Sequence, residues 1–513
     1  MSNTNHLKHI VIFGAGKSSL FLIEYLVDQL AVNNWRLTVL DANPAAALAK
    51  TKGAVNTDAR AINAENDDDR TQWIMSADIV ISLLPPSLHF LVAKDCLQYG
   101  KDLLTASYVD DRLEALRNEI SDKNLLFLCE MGLDPGIDHM STMSLLRNLK
   151  NKGANITGFR SHCGGLVSPD SDDNPWRYKI SWNPRNVVLA GKAGAVYREN
   201  NREVSLPYEE LFQISKLVHV PQAGVLAYYP NRDSLNYQLA YGLEDAQTFM
   251  RTTLRYPEFV FGWKNIIQLK LTDEEKQYNT DGMSLKQFFQ LHLNRHGFLE
   301  WIEKQLTSKF VQTGMLLDKL QQLLSVEETT GDDEKRDLQE FMMVNGKGRL
   351  MDVNLDEVKQ KAAATVAGQM QEANLAIQQL FYLGMDDEQT LINMGWCSAA
   401  DVLQFSLEKK LALNPEDQDM VVMLHEIEYV LNGIAHTVNS SLIVKGENSE
   451  RTAMAKTVGL PLAIAATLIL QGKITLKGLH IPTVPEIYEP VLQELKANAI
   501  YFIETHSAAA GSS

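Results

Sequence analysis

Residues His9 to Phe13 form an unbroken apolar run of strand length, followed at once by Gly14-Ala15-Gly16-Lys17-Ser18-Ser19. Leu20, Ile23, Val27 and Leu30 then recur at helical spacing, and a second strand-like run, Arg36 to Leu40, ends in Asp41. Strand, glycine turn, helix, strand and acid, in that order, predict a mononucleotide-binding βαβ unit. Further strand-like runs at Asp78 to Leu84, Asp102 to Thr105 and Asn124 to Cys129 alternate with helical stretches. That alternation predicts a doubly wound parallel sheet.

The pattern changes between Ile156 and about Arg255, where Gly, Pro, Asn and aromatic residues gather in blocks such as YYPNRDS (228–234). Mixed strands and long ordered loops are expected there. From Gln268 to Leu407, Leu, Phe and Met recur every three or four residues, with solvated acidic breaks around Glu327 and Asp332. Met420 to Val444 returns to strands about the turn dipeptide Asn432-Gly433, and Met454 to Phe502 is helix-forming again. The predicted organisation is a Rossmann-type domain over 1–135, rejoined by 450–510. A mixed α/β substrate and dimerisation domain covers 136–265 and 410–449, with a mainly helical insert over 266–409. The active site would lie in the cleft between the first two.

Composition narrows the partners. With 48 Lys and Arg against 64 Asp and Glu, the chain of 513 residues carries a formal charge of −16. That is the wrong sign for nucleic acid or an anionic membrane surface. The four cysteines form no CxxC pair, which suits a reduced, cytoplasmic protein. The N-terminus shows no secretory pattern. The longest apolar run, Gly459 to Leu470, contains Pro461 and falls short of the ~20 residues that span a bilayer. An acidic protein that handles a small anion must gather Arg or Lys in one pocket.

The glycine loop carries the first chemistry. Gly14 and Gly16 permit a tight turn and close approach to a pyrophosphate lying on the helix N-terminus. Ser19 stands where the third glycine of the fingerprint would be. A P-loop is excluded, because the glycine it needs five residues before Gly16 is Val11. Lys17 is then a solvated side chain. Asp41 would accept from a ribose 2′-hydroxyl and repel a 2′-phosphate, favouring NAD over NADP, unless it is an ordinary turn aspartate.

Eight blocks extend the picture: VISLLPPSLH (80–89), LLTASYV (103–109), MGLDPGIDHM (131–140), HCGGL (162–166), DNPWRYKISW (173–182), YPNRDS (229–234), RTTLRYPEF (251–259) and MAKTVGLPLAIA (454–465). In sequence and order the chain resembles the glutamate-forming saccharopine dehydrogenases, also called saccharopine reductases. The resemblance implies oxidation of the lysine-side C–N bond of saccharopine with a nicotinamide cofactor. Water then splits the imine into glutamate and 2-aminoadipate 6-semialdehyde; the reverse is reductive condensation. For the cofactor it points to Ala15, Gly16, Lys17, Ser18, Asp41, Leu84, Ala106, Ser107, Leu133, Asp134 and Pro135, beside Gly14 of the loop. For saccharopine it points to Ser107, Tyr108, Asp134, Arg232, Thr253, Leu254 and Arg255.

Saccharopine carries three carboxylates and two amine nitrogens, so Arg232 and Arg255 would bind the former and Asp134 an ammonium. Asp134, Tyr108, Lys179 or solvent would move the proton. Plainer readings stand beside these. Arg232 would brace a turn through Asp233, Asp134 would only shape a turn, Tyr108 would pack, and Cys163 would fill core. His139 and His162 belong to no ligand-spaced cluster, so no metal site is expected. Fungal NADPH-using members tend to have arginine where Asp41 stands, so the chain looks more like the NAD-linked, lysine-degrading branch. Pro86 replaces a common tyrosine, and about 268–407 matches the family poorly. A homodimer is expected, and the physiological direction is open. The competing functions are an imine-reducing polyamine synthase of the carboxynorspermidine type and a catalytically silent NAD-binding regulator.

Overall fold

In a computed structural model, residues 7–213, 216–302, 341–344, 350–353, 372 and 374–508 are described. The N-terminal strand β1 (Lys8–Phe13) pairs in parallel with β2 (Trp35–Asp41), Phe13 standing opposite Leu40. Between them α1 (Leu20–Asn33) buries Leu22, Ile23, Leu26 and Leu30, a stripe turned slightly from the predicted one. It stops where Asn34 takes a left-handed conformation and returns its N–H to the Leu30 carbonyl. Helix α2 (Pro44–Thr51) starts on an Asn43 cap with Pro at its first position.

With β3 (Thr57–Ala61), β4 (Ile79–Ser82), β5 (Asp102–Thr105), β6 (Leu126–Leu128) and β20 (Gly478–His480), these strands form a seven-stranded sheet. Its order is β3-β2-β1-β4-β5-β6-β20, every pair parallel. The fold is α/β with a Rossmann-type sheet. The order reverses between β1 and β4, the place where such sheets open a crevice for a dinucleotide. The central strands are apolar at successive positions because both faces are covered. Ile10, Ile12, Val39 and Ile81 pack into one cluster with α1 and a C-terminal helix. Val11, Phe13, Leu40 and Val80 pack into another, with Ile74 of α3 (Asp67–Ser76) and Val92 of α4 (Pro86–Tyr99).

After α5 (Ile137–Asn151) the chain builds a ten-stranded mixed sheet. Its centre is β7 (Asn155–Val167), parallel to β13 (Thr248–Arg255) and antiparallel to β18 (Asp419–Leu431). β18 turns into β19 (Ile434–Lys445) through Asn432 and Gly433, both at positive φ, as the dipeptide predicted. The short β12 (Arg232–Asp233) pairs with β8 (Ala195–Glu199) at this sheet's margin, and β9 (Arg202–Leu206), β10 (Lys216–Val220), β11 (Gly224–Pro230) and β21 (Ile503–Ala508) complete it.

Helix α8 (Ala453–Leu470) is long and apolar enough to cross a membrane, which the run counted from Gly459 did not suggest. It is nevertheless largely buried, and Gly459 lets it approach Ser18 and Leu22 of the first βα unit closely. Asp419 at the start of β18 accepts the Ala453 and Met454 N–H groups at 2.6 and 3.0 Å, tying α8 to the mixed sheet.

Both sheets belong to one compact unit, formed by Met1–Asp173, Arg177–Val260 and Leu411–Ser513. A second unit comprises Asn174–Trp176 and Phe261–Lys410. It contains α6 (Leu285–Arg295) and α7 (Ala399–Lys410), but also the strand pair β14 (Lys276–Asn279) with β17 (Trp396–Ser398) and the hairpin β15 (Phe341–Val344) with β16 (Leu350–Val353). The expectation of a mainly helical segment therefore missed strands of three or four residues, too short for alternation to stand out between helices. Glu327 and Asp332 lie outside the described residues.

Candidate active site

At the carboxyl end of β1, Gly14 takes φ +104° and donates its N–H to the Leu40 carbonyl at 2.7 Å. A Cβ there would meet the Leu83 carbonyl oxygen at 2.9 Å, whereas Gly16 has open space around it. The turn Lys17–Ser19 and α1 begin without a side-chain cap, leaving leading N–H groups for an anion. Asp41 at the end of β2 accepts from Ala15 N at 2.6 Å through one oxygen and from Asn43 N at 2.8 Å through the other. It is thus a brace of the loop, with lone pairs left on both oxygens. Lys17 is exposed and Ser18 half-buried; Leu84 packs against the cluster beneath β4.

A feature the sequence did not suggest is Lys50, from the end of α2. Its ammonium donates to the Ala15 carbonyl at 2.5 Å, to the Gly16 carbonyl and to Ser19 Oγ at 2.8 Å. All three of its protons are engaged. Burial lowers its pKa, opposed by the neighbouring Asp41 carboxylate.

Beyond β5 the chain passes Ala106, Ser107 and Tyr108. Beyond β6 it makes the tight turn Leu133-Asp134-Pro135, whose Asp134–Pro135 bond is cis. Nearby, a cavity of about 850 Å³ is lined by Tyr108, Glu130, Arg232, Tyr237 and Arg251, among others, but not by Ala106, Ser107 or the Leu133-Asp134-Pro135 turn. Arg251 is the central cation. Its Nη2 donates to Asp134 Oδ1 at 2.5 Å and to Asp138 Oδ2 at 2.6 Å, and its guanidinium lies 4.5 Å from the Tyr237 ring centre. Burial pushes the Asp134 pKa up to about 6; Arg251 opposes that shift and the Asp138 charge adds to it. Burial also raises Tyr108, with the Asp134 charge contributing. Behind this cluster, Glu130 accepts from Tyr237 at 3.1 Å and meets His139 Nε2 at 2.8 Å, while His139 Nδ1 meets the Tyr241 hydroxyl.

The two arginines singled out from sequence behave differently from Arg251. Arg232 is exposed and stacks 4.9 Å from the Tyr108 ring centre. Asp233 instead accepts the Leu235 N–H, so the bracing pair considered for Arg232 does not form. Arg255 is buried between Tyr178 and Phe259; Nη1 donates to its neighbour's carbonyl and Nε has no partner among the described residues. Among the described residues no acid pairs with Arg232 or Arg255. Arg255 does not line the cavity with Arg232. It shares a face of β13 with Arg251 and Thr253, ~13 Å from Arg251 at ~3.3 Å per residue. Leu254, on the other face, is buried.

Lys179 needs correction as a base. It is buried and donates to Asp173 at 2.8 Å and Asp417 at 2.7 Å. Burial opposes the charge, yet the two carboxylates prevail and raise its pKa, the reverse of what a proton acceptor requires. Cys163 is buried beside β13, and burial raises its thiol well above the ordinary range, as core filling demands. His162 is held between Thr252 and Glu426.

Another side chain overlooked in sequence is His89, in the first turn of α4. Its Nδ1 lies 2.8 Å from Ser82 Oγ at the end of β4, and its Nε2 lies 2.6 Å from Ser107 Oγ after β5. Arg251 did carry a legible signal, since it and Arg255 stand at even spacing in RTTLR. His89 and Lys50 carried none.

Comparison with known proteins agrees with this geometry. Residues 10–128 match the model of the saccharopine dehydrogenase NADP binding domain and residues 132–500 that of the saccharopine dehydrogenase C-terminal domain. Alpha-aminoadipic semialdehyde synthase of Arabidopsis thaliana is 31% identical over 462 residues, covering 88% of this chain and 39% of that protein. The chain thus spans less than half the length of this relative. Saccharopine dehydrogenase [NADP(+), L-glutamate-forming] of Saccharomyces cerevisiae is 29% identical over 499 residues, 95% of this chain and 97% of that one. The solved apo structure of saccharopine dehydrogenase (L-Glu forming) from Saccharomyces cerevisiae superposes with a TM-score of 0.74 at 25% identity, over 98% of this chain and 100% of that one. The uncapped loop, the Gly14 contact with β4 and the strand-end residues fit a nicotinamide dinucleotide.

Proposed function

The chain belongs to the saccharopine dehydrogenase family, and from that premise we propose that it oxidises saccharopine to glutamate and 2-aminoadipate 6-semialdehyde, or runs the reverse. The observation that carries this reading is the pair of cations without acid partners among the described residues, Arg232 and Arg255. A buried guanidinium left unpaired is costly, and a substrate carboxylate would relieve it. Saccharopine, long and with three carboxylates, suits two cations set apart on β12 and β13; a polyamine would not.

When bound, the nicotinamide supplies the acceptor for the substrate's hydride. The chain's residues orient the substrate and handle its proton. Arg232 and Arg255 hold carboxylates, fixing the reacting carbon. Asp134, kept in place by Arg251, faces the amine; with a pKa pushed up to about 6 it exchanges protons near neutral pH. Tyr108 shields this group beneath Arg232. Gly14, Ala15, Gly16, Ser18, Leu84, Ala106, Ser107, Leu133 and Pro135 would hold the cofactor, and Thr253 would flank the substrate.

We further propose NAD as the preferred cofactor, although the yeast relative's name specifies NADP(+). Two observations support it. Asp41 retains lone pairs for a ribose hydroxyl and opposes a phosphate. Lys50, the nearby cation, has committed its three protons to the loop and has none for a 2′-phosphate. The test is an assay matrix of saccharopine, or glutamate plus the semialdehyde, with NAD and NADP in both directions. Reduced-cofactor absorbance on saccharopine with NAD is expected. No turnover with either cofactor would overturn the activity, and equal rates with both would overturn the preference.

A further inference from the structure

We propose that His89 is a positioning residue of this site, setting the direction of the Ser107 hydroxyl so that Ser107 meets cofactor and substrate in one orientation. The proposal rests on the reading above for what Ser107 touches. Its support is geometric. The Ser107 main chain is already pinned, its N–H donating to Thr105 Oγ1 at 3.2 Å and its carbonyl accepting from Glu130 N at 3.1 Å. The hydroxyl rotor is the freedom that remains, and His89 Nε2 takes it at 2.6 Å. The imidazole is fixed from its other side by Ser82 Oγ at 2.8 Å. Ser82 is buried at the last position of β4, next to Leu83, against which Gly14 packs. One ring therefore links the ends of β4 and β5 at the edge where the dinucleotide crevice opens.

The chemistry of the ring makes this link directional. Burial lowers the His89 pKa to about 4, so the imidazole is neutral at physiological pH, with one N–H and one lone pair. Of Ser82 and Ser107, one donates to the ring and the other accepts from it. In either tautomer the ring engages the Ser107 hydroxyl, through its proton or through a lone pair, so that the hydroxyl no longer rotates freely. A brace that only tied α4 to the sheet would not require Ser107 at all, and this separates the two roles.

The test uses two amides that mimic different ring nitrogens. Asparagine places its amide near Nδ1 and keeps the Ser82 contact; glutamine reaches the Nε2 position and keeps the Ser107 contact. In the full chain, His89→Asn is expected to weaken NADH binding, followed by fluorescence titration, ~2- to 10-fold, the range of one net hydrogen bond. His89→Gln recovers most of this. Where saccharopine turnover is measurable, kcat falls with it. In a Ser107→Ala background, His89→Asn costs no further affinity, because the group it acts through is gone. Additive losses in that background, or equal losses from Asn and Gln accompanied by equal drops in melting temperature, would overturn the proposal. If His89→Asn does not fold, Ser82→Ala, which frees the ring to turn, is expected to give the same loss, and unchanged binding there overturns it. Because NADH binding needs no saccharopine turnover, failure of the activity assay and failure of this proposal are read separately.

Discussion

Replacing Gly14 and Gly16 by alanine, one at a time, should separate two roles within one motif. Gly14 sits at φ +104°, outside the left-handed well at about +50 to +70° that other residues occasionally use. Alanine there costs ~1–2 kcal/mol from backbone sterics alone. Its Cβ would also stand 2.9 Å from the Leu83 carbonyl oxygen and 3.0 Å from the carbonyl carbon. Those atoms are main chain just past the end of β4 and cannot rotate away, so overpacking adds ~1–3 kcal/mol. The sum, ~2–5 kcal/mol, is a large part of the ~5–15 kcal/mol that holds a typical domain. Gly16 has φ −68°, and no atom lies within 4 Å of the place an alanine methyl group would take. There alanine is neutral, or stabilising by up to ~1 kcal/mol through the unfolded chain. Its methyl group nevertheless occupies the open face of the loop, where a pyrophosphate has to approach. Urea melts and NADH titrations of both variants give the comparison. Gly14→Ala should unfold at clearly lower urea, while Gly16→Ala should keep its midpoint and lose cofactor affinity ~10-fold or more. Equal losses of stability, or a Gly16→Ala protein that binds NADH normally, would refute the reasoning.

Three further outcomes follow from the site. Arg232→Ala should raise the Michaelis constant for saccharopine ~10- to 100-fold, the range of a charged hydrogen bond, while that for NAD changes little; matched losses of both would mean a structural arginine. Asp41→Asn should raise the NADP-to-NAD preference ~10-fold or more by removing a carboxylate beside the 2′-position, measured as the ratio of kcat/KM values, and an unchanged ratio would remove the argument from charge. Asp134 has a folded pKa raised above its unfolded value, so its contribution favours the folded protein below about pH 4 and fades as pH rises through about 6. Asp134→Asn should therefore gain stability relative to the parent between about pH 4.5 and about pH 7.5 while losing turnover, read from urea midpoints at both values; a parallel pH dependence in the two proteins would contradict the assignment.

The elements around the cofactor loop were legible in the sequence because they are local. An apolar run is buried on both faces in β1, the glycine turn follows within the next residues, and Asn432-Gly433 closes its hairpin with no distant help. The short strands β14 and β17 were not legible, since three or four residues are too few to show a period. The site divided in the same way. Gly14, Asp41, Asp134, Arg232 and Arg255 were named from their blocks, but what each one touches was not.

The chain alone determined the alternation of strand and helix in the first βαβ unit, which acid closes β2 and which residue types stand at the strand ends, because periodicity and turn chemistry act over a few residues. Tertiary structure alone decided that Arg251 holds Asp134 from 117 positions away, that Lys179 is locked by Asp417 from 238 away, and that Arg232 and Arg255 have no acid partner among the described residues. It also decided that Lys50 spends its charge on the glycine loop and that His89 joins two serines. Pairing of charges depends on distance through space and on burial, and neither is encoded in the spacing of residues along the chain.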